Sequence, residues 1–179
     1  GKIKSLMWGN PPLWKELMEK LTKGIRDYLR LQVAAGVDVL QVFDSWAGCL
    51  ARDDYERYVW PYTKNVFEDL VSLKIPLIHF STGTVGFLDL IGEVECQVVS
   101  IDWRQSVGEA RKVIGNKAIQ GNLDPAVLLA DFGIVRKKAG EILAEAAEKP
   151  GFIFSLGHGV LPKTPVDNLI RLTEYVHGR

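Results

Sequence analysis

Two strand ends carry the side chains best suited to chemistry. The apolar run Val37 to Phe43 ends in Asp44-Ser45-Trp46-Ala47-Gly48, and Phe152-Ile153-Phe154-Ser155-Leu156 runs into Gly157-His158-Gly159. In α/β folds the carboxyl ends of parallel strands are where reactive groups are held. A hydroxyl at Ser45 can donate a hydrogen bond to a substrate carboxylate. The competing reading is a polar residue that opens a loop, with Asp44 bonding local backbone. Asp44 itself is read as structural. His158 stands between two glycines, which let the backbone turn sharply or approach a ligand closely. Its imidazole, held at the rim, is the leading functional group of the chain. In the plainer reading it bonds a neighbouring carbonyl in an ordinary turn.

Other polar residues invite structural readings first. His79 alternates with Leu77 and Ser81 in an apolar segment, so the three share one face. If that face lines a barrel, the imidazole is expected to be buried and hydrogen-bonded near the mouth. His177 is expected in solvent. Asp102 is expected to pair with Arg104 or with a neighbouring strand end, while Trp103 either walls a pocket or packs. Asn122 and Asp124 are expected to hold a turn and cap a helix. Tyr55, Tyr58, Trp60 and Tyr62 crowd around Pro61, as core packing does and as an oligomer interface does second. The chain has no GxSxG elbow, P-loop or HExxH motif, and its carboxylates form no obvious acid/base pair.

The elements that must position these groups follow a regular order. Asn10 can cap a helix whose first turn takes Pro11 and Pro12 and which Gly36 can end. Leu13, Leu17, Leu21, Ile25, Leu29 and Val33 form one apolar stripe along it. Strands are predicted over Gly36–Phe43, Ile75–Phe80, Gln97–Ile101, Ala118–Gln120 and Gly151–Leu156. Helices are predicted from about Asp53 to Val71 with a break near Pro61, over Val85–Ile91, over Ser106–Ile114, in a short turn after Asp124-Pro125, over Phe132–Glu148, and from Thr164-Pro165 to the terminus. Helix first, then five strand–helix units, implies a parallel sheet with right-handed crossovers. An open doubly wound sheet usually begins on a strand with a Gly-rich phosphate turn, and neither is present. Polar residues recur at all five strand ends, as in barrel enzymes. The fold class is therefore α/β, a partial (β/α)8 TIM-type barrel, with residues 1–179 as a single partial-barrel domain.

Composition narrows the partners. Of 179 residues, 47% are hydrophobic, enough for a sizeable core. The 22 basic and 22 acidic residues cancel, and no basic stripe suggests nucleic acid. An anionic ligand must be held by a few local groups. Cys49 and Cys96 lie far apart in no metal-ligand spacing, which fits a reducing cytosol. No apolar stretch is long enough to span a bilayer, no secretory h-region opens the chain, and a cytoplasmic location is expected. Gly1 in place of a methionine fits processing, an engineered boundary or a cut product.

Three blocks then carry a resemblance. Gln41-Val42-Phe43-Asp44-Ser45-Trp46-Ala47-Gly48, Ile119-Gln120-Gly121-Asn122-Leu123-Asp124-Pro125 and Leu156-Gly157-His158-Gly159-Val160 resemble signature blocks of the uroporphyrinogen decarboxylase family, in the family's order. Leu6-Met7-Trp8 with Pro11-Pro12-Leu13-Trp14, and Ile78-His79-Phe80, also fit. The resemblance covers essentially the whole chain, yet only the later part of the family's barrel, from the helix before its fourth strand through its eighth. It implies a distorted (β/α)8 barrel, a homodimer with facing clefts, and cofactor-free removal of carbon dioxide from the four acetates of uroporphyrinogen, giving coproporphyrinogen for haem and related tetrapyrroles. It also implies substrate contacts by Ser45 and His158, with Phe43 in the cleft wall. The family's arginine loop, its aspartate for the pyrrole NH groups and its cleft tyrosine precede the first residue here. This chain alone is therefore expected not to be a competent decarboxylase, and to self-associate or to need a chain that supplies the missing strands.

Two alternatives stand beside this reading. Corrinoid-dependent methyltransferases of the same superfamily use a His-x-Cys zinc site at a strand end, but His79 is followed by Phe80 and Ser81, so the thiolate is absent. The other is a non-catalytic partial barrel that serves as a binding or assembly module.

Overall fold

The computed structural model describes residues 1–147 and 149–178. A short helix, α1 (Lys2–Gly9), precedes the expected long one, α2 (Pro11–Ala34). Two features start α2: the Asn10 side chain accepts from the Leu13 N–H at 3.2 Å, and two prolines fill positions whose N–H has no helical partner. Gly36, at φ +91°, turns the chain out of the helix into β1 (Leu40–Asp44).

The predicted Asp53–Val71 helix is two helices, α3 (Arg52–Tyr58) and α4 (Trp60–Val71), divided at Val59 beside Pro61. The chain continues through β2 (Leu77–Ser81), α5 (Leu88–Glu93), β3 (Val98–Ser100), α6 (Val107–Ile114), β4 (Ala118–Leu123), α7 (Phe132–Ala146), β5 (Phe152–Leu156) and α8 (Val166–His177). Glu148, the predicted end of α7, lies outside the described residues.

All five strands are parallel and neighbours in sequence are neighbours in space, in the order β1-β2-β3-β4-β5. Register runs from Leu40 opposite Leu77 to Asp44 opposite Ser81 at one end, and from Ile119 opposite Phe152 to Leu123 opposite Leu156 at the other. No strand order reverses, so every crossover winds the same way and the helices cover one face. On that face Leu40, Leu77, Val99 and Ile119 pack with Phe67 and Leu70 of α4, Ile91 of α5 and Ala110 of α6. A second cluster joins Leu123 to Val135 and Ala139 of α7 and Leu172 of α8.

The opposite face is concave. Gln120 Nε2 donates to Ser100 Oγ at 3.1 Å and to Gln41 Oε1 at 3.3 Å, linking β4 to β1. Strands three places apart in a flat sheet would be separated by roughly 14 Å. Contact between their side chains therefore requires strong curvature. The architecture is an arc of a (β/α)8 barrel.

Two expectations are corrected by this arrangement. The face that holds Leu77, His79 and Ser81 is the helix-packed one, so His79 does not line the barrel interior. Its ring lies 4.9 Å from that of Phe67 on α4, and it is fully buried. It is not satisfied there, because neither ring nitrogen has a hydrogen-bond partner. The apolar stripe of α2 is also less buried than its periodicity suggests. Leu29 is covered, but Leu13, Leu17, Leu21 and Ile25 stay exposed, Leu21 and Ile25 beside a gap between α2 and α4. α2 is held instead by Trp14, whose Nε1 donates to the Tyr58 carbonyl at 2.9 Å, and by Arg26 and Arg30, which both pair with Asp69 of α4.

Candidate active site

Curvature brings the two strand ends singled out in the sequence to one place. Ser45 and His158 both line a cavity of about 420 Å³ at the carboxyl end of the sheet, with Thr82, Trp103, Arg104 and Asp124. This volume falls within the range of small-molecule sites, ~300–1,000 Å³. In a flat sheet β1 and β5 would be four strand spacings apart, roughly 19 Å.

Each wall of the cavity has an identifiable support. Thr82 Oγ1 donates to the Ser45 carbonyl at 2.5 Å, tying the β1 loop to the β2 loop. Gly48 packs so closely on the same turn that a Cβ there would lie 2.4 Å from the Thr82 carbonyl oxygen. With the Ser45 backbone fixed, its hydroxyl has no partner among the described residues and remains a donor for a ligand.

Asp102 anchors the next wall. It is almost fully buried, and its carboxylate accepts from the Gly83 N–H at 2.6 Å, the Arg104 N–H at 2.9 Å and Arg104 Nη1 at 2.5 Å. The pairing expected of Asp102 is thus made twice over, to Arg104 and to the turn after β2. Asn122 donates to the Asp102 and Gln105 carbonyls and holds the turn, while Asp124 accepts from the Ala126 N–H and caps the turn Pro125–Leu129. Trp103 forms part of the cavity wall.

His158 is exposed, and the Gly159 N–H donates to its Nδ1 at 2.7 Å. An Nδ1 that accepts must carry a lone pair, so the neutral ring holds its proton on Nε2 and offers a donor outward. The bond is to a backbone N–H of the glycine turn, and no carbonyl among the described residues takes the ring. The Phe80 ring meets the imidazole edge-on at 5.9 Å, and Phe43 meets Phe80 edge-on at 5.2 Å. Phe43 therefore reaches His158 through Phe80 along the concave face. It does not border the cavity itself and is strongly exposed.

The remaining groups lie behind the sheet. Asp44 points to the helix side, where the Tyr55 hydroxyl donates to it at 3.4 Å. Burial pushes the Asp44 carboxyl above its ordinary range, opposed in part by Tyr55. Tyr55 is fully buried and stacked on Phe87, so the aromatic cluster packs in the core at this point. Burial lowers His79 to about 4; the Ile91 backbone pulls slightly upward without making a hydrogen bond, and Lys117 pushes further down. An imidazole in that state is neutral at pH 7. His177 is exposed as expected.

Thr82 was not singled out by its sequence context, and Arg104 only as a partner for Asp102, although Thr82 directly follows β2 and Arg104 lies four residues after β3. That offset was the available signal. Among the described residues no group of three or more His, Cys, Asp or Glu is placed to hold a metal, and no helix is long and apolar enough to cross a membrane.

Polar donors grouped at the strand ends of a barrel arc define a small-molecule site of the TIM-barrel type. The profile of the family described as uroporphyrinogen decarboxylase (URO-D) matches residues 1–179, and the chain belongs to that family. The uroporphyrinogen decarboxylase of Thermus thermophilus is 45% identical over 175 residues, covering 98% of this chain and 51% of the relative. That of Carboxydothermus hydrogenoformans is 43% identical over 177 residues, with 98% and 51% covered. The chain spans about half the length of these relatives. A solved methyltransferase from Methanosarcina mazei superposes with a TM-score of 0.81 at 21% identity, over 98% of this chain and 53% of that one, which shows the shared fold.

Proposed function

We propose that this chain is the carboxy-terminal, substrate-binding part of a uroporphyrinogen decarboxylase, a carboxy-lyase of tetrapyrrole and haem biosynthesis. The observation that carries this reading is the shared cavity of Ser45 and His158 at the strand ends. The Ser45 hydroxyl and His158 Nε2–H bind substrate carboxylates and fix its orientation, and the exposed Phe43, beside the cavity on the concave face, gives the pyrroles an apolar surface. Direct loss of carbon dioxide from an acetate would leave a poor carbanion. Protonation of the pyrrole carbon makes a cationic ring, which accepts the electron pair of the breaking C–C bond. A proton then completes the methyl group and the ring proton is released. The substrate is its own electron sink, so the protein orients it, supplies protons and stabilises the cation without a cofactor.

A closed barrel needs three strands more than the five present, and both β1 and β5 are open edges. The exposed side of α2 and the exposed Phe43 and Ile153 add apolar surface next to β1 and on β5. These open edges fit a protein that self-associates or is completed by further strands, from a longer polypeptide or another chain, and residues 1–179 alone do not turn over uroporphyrinogen.

The test combines binding, turnover and mass on one sample. The native chain should bind uroporphyrin, and Ser45→Ala and His158→Gln should each weaken it by about 10-fold or more. Turnover near that of the Thermus thermophilus relative, measured alongside, would refute the incompetence of the isolated chain. A monomer in sedimentation that unfolds cooperatively would count against the assembly.

A further inference from the structure

Arg104 is the only Lys or Arg among the described residues that line the cavity of Ser45 and His158. Two contacts hold its guanidinium. Nη1 donates to the buried Asp102 carboxylate at 2.5 Å, and Cζ lies over the Trp103 ring, 4.4 Å from its centroid, while the Arg104 backbone N–H reaches the other oxygen of Asp102. Nε and Nη2 have no partner among the described residues, and the side chain is 50% exposed. Nε and Nη2 lie on one edge of the guanidinium. Two parallel N–H groups on a fixed edge match a carboxylate in bidentate fashion.

We propose that Arg104 is an additional anion-binding residue of this cavity, taking one substrate carboxylate through Nε–H and Nη2–H while Nη1 stays anchored on Asp102. The proposal rests on the tetrapyrrole reading above and names which local cation meets the substrate's negative charge. Asp102 neutralises Arg104 as a bare charge, but its carboxylate is already shared among the Gly83 and Arg104 N–H groups and Nη1. Recognition is therefore by the geometry of the free donors. Asp124, the other charged residue of the lining, has one oxygen engaged as a cap and offers an anion nothing. Because the guanidinium sits over the Trp103 ring and Nη1 is bonded to Asp102, the fork is held without a ligand, and little side-chain freedom is lost on binding.

The competing reading is that Arg104 only completes the Asp102 anchor. Trp46 and Trp103 both border the cavity, so their fluorescence reports occupancy. Uroporphyrin and its octamethyl ester would be titrated into the native chain, Arg104→Met and Arg104→Lys. The expected result is at least a 10-fold loss of uroporphyrin affinity in Arg104→Met, with ester binding unchanged and partial recovery in Arg104→Lys. Equal loss for both ligands would reduce Arg104 to a structural anchor and overturn the proposal, as would unchanged affinity. Failure of the native chain to bind uroporphyrin at all would instead remove the tetrapyrrole reading, and Arg104's role with it.

Discussion

Gly157 rests directly against Trp103: a Cβ at Gly157 would lie 2.8 Å from the Trp103 backbone nitrogen and 3.1 Å from its ring. The Gly157 N–H donates to the Leu123 carbonyl at 2.7 Å, so the loop after β5 is pinned to the loop after β3 and to the last residue of β4. His158 is the next residue. Its position over the cavity is a consequence of this contact.

Substituting Gly157 by alanine forces that loop away from backbone, which cannot yield as a flexible side chain would. Gly157→Ala should cost roughly 1–3 kcal/mol of stability, as overpacking does. Ligand affinity should fall to the level of His158→Gln. Urea denaturation and the fluorescence titration check both parts; a stable variant with native affinity would show that the contact does not position His158.

His79 makes stability depend on acid. Its folded pKa of about 4 is below the ordinary 6.5, so the folded protein resists a proton that the unfolded chain accepts. The stabilisation is complete above 6.5 and is lost as pH falls from 6.5 towards 4, by roughly 3 kcal/mol. His79→Leu should remove this slope. Near pH 7 it should equal the native protein or exceed it by about 1 kcal/mol, because an imidazole with two unpaired nitrogens is removed from the core. Denaturation curves at several values between pH 4 and 7 decide the matter, and an unchanged slope in the variant would locate the acid sensitivity elsewhere.

Asp44 works in the opposite direction. Its folded pKa is raised, so the folded state holds the proton more tightly than the unfolded chain, and stability falls as pH rises from the ordinary 3.8 through the folded value. Asp44→Asn should therefore be more stable than the native protein at pH 7, with the gap closing below 3.8. If the asparagine variant is the weaker protein at pH 7, the bond from Tyr55 outweighs the cost of burying the charge.

The chain's local chemistry determined much of this. Asn10 with two prolines sets the start of α2, Asp124-Pro125 sets the turn after β4, and apolar runs ending in polar residues mark the five strands. These signals are read within a few residues and survive folding because nothing distant competes with them. Ser45 and His158 were legible for the same reason, as polar groups placed just past strand ends.

Tertiary structure decided what periodicity alone leaves open. A period of two states that Leu77, His79 and Ser81 share a face, but not whether helices or the barrel interior cover it, since either burial suits an apolar strand. The stripe on α2 is equally neutral: its spacing fits a buried face, yet burial needs a partner, and only Leu29 finds a full one in these five units. The site itself belongs to curvature. Ser45, Arg104 and His158 lie on separate loops more than a hundred residues apart from first to last, and the bending of the sheet gathers them around one cavity.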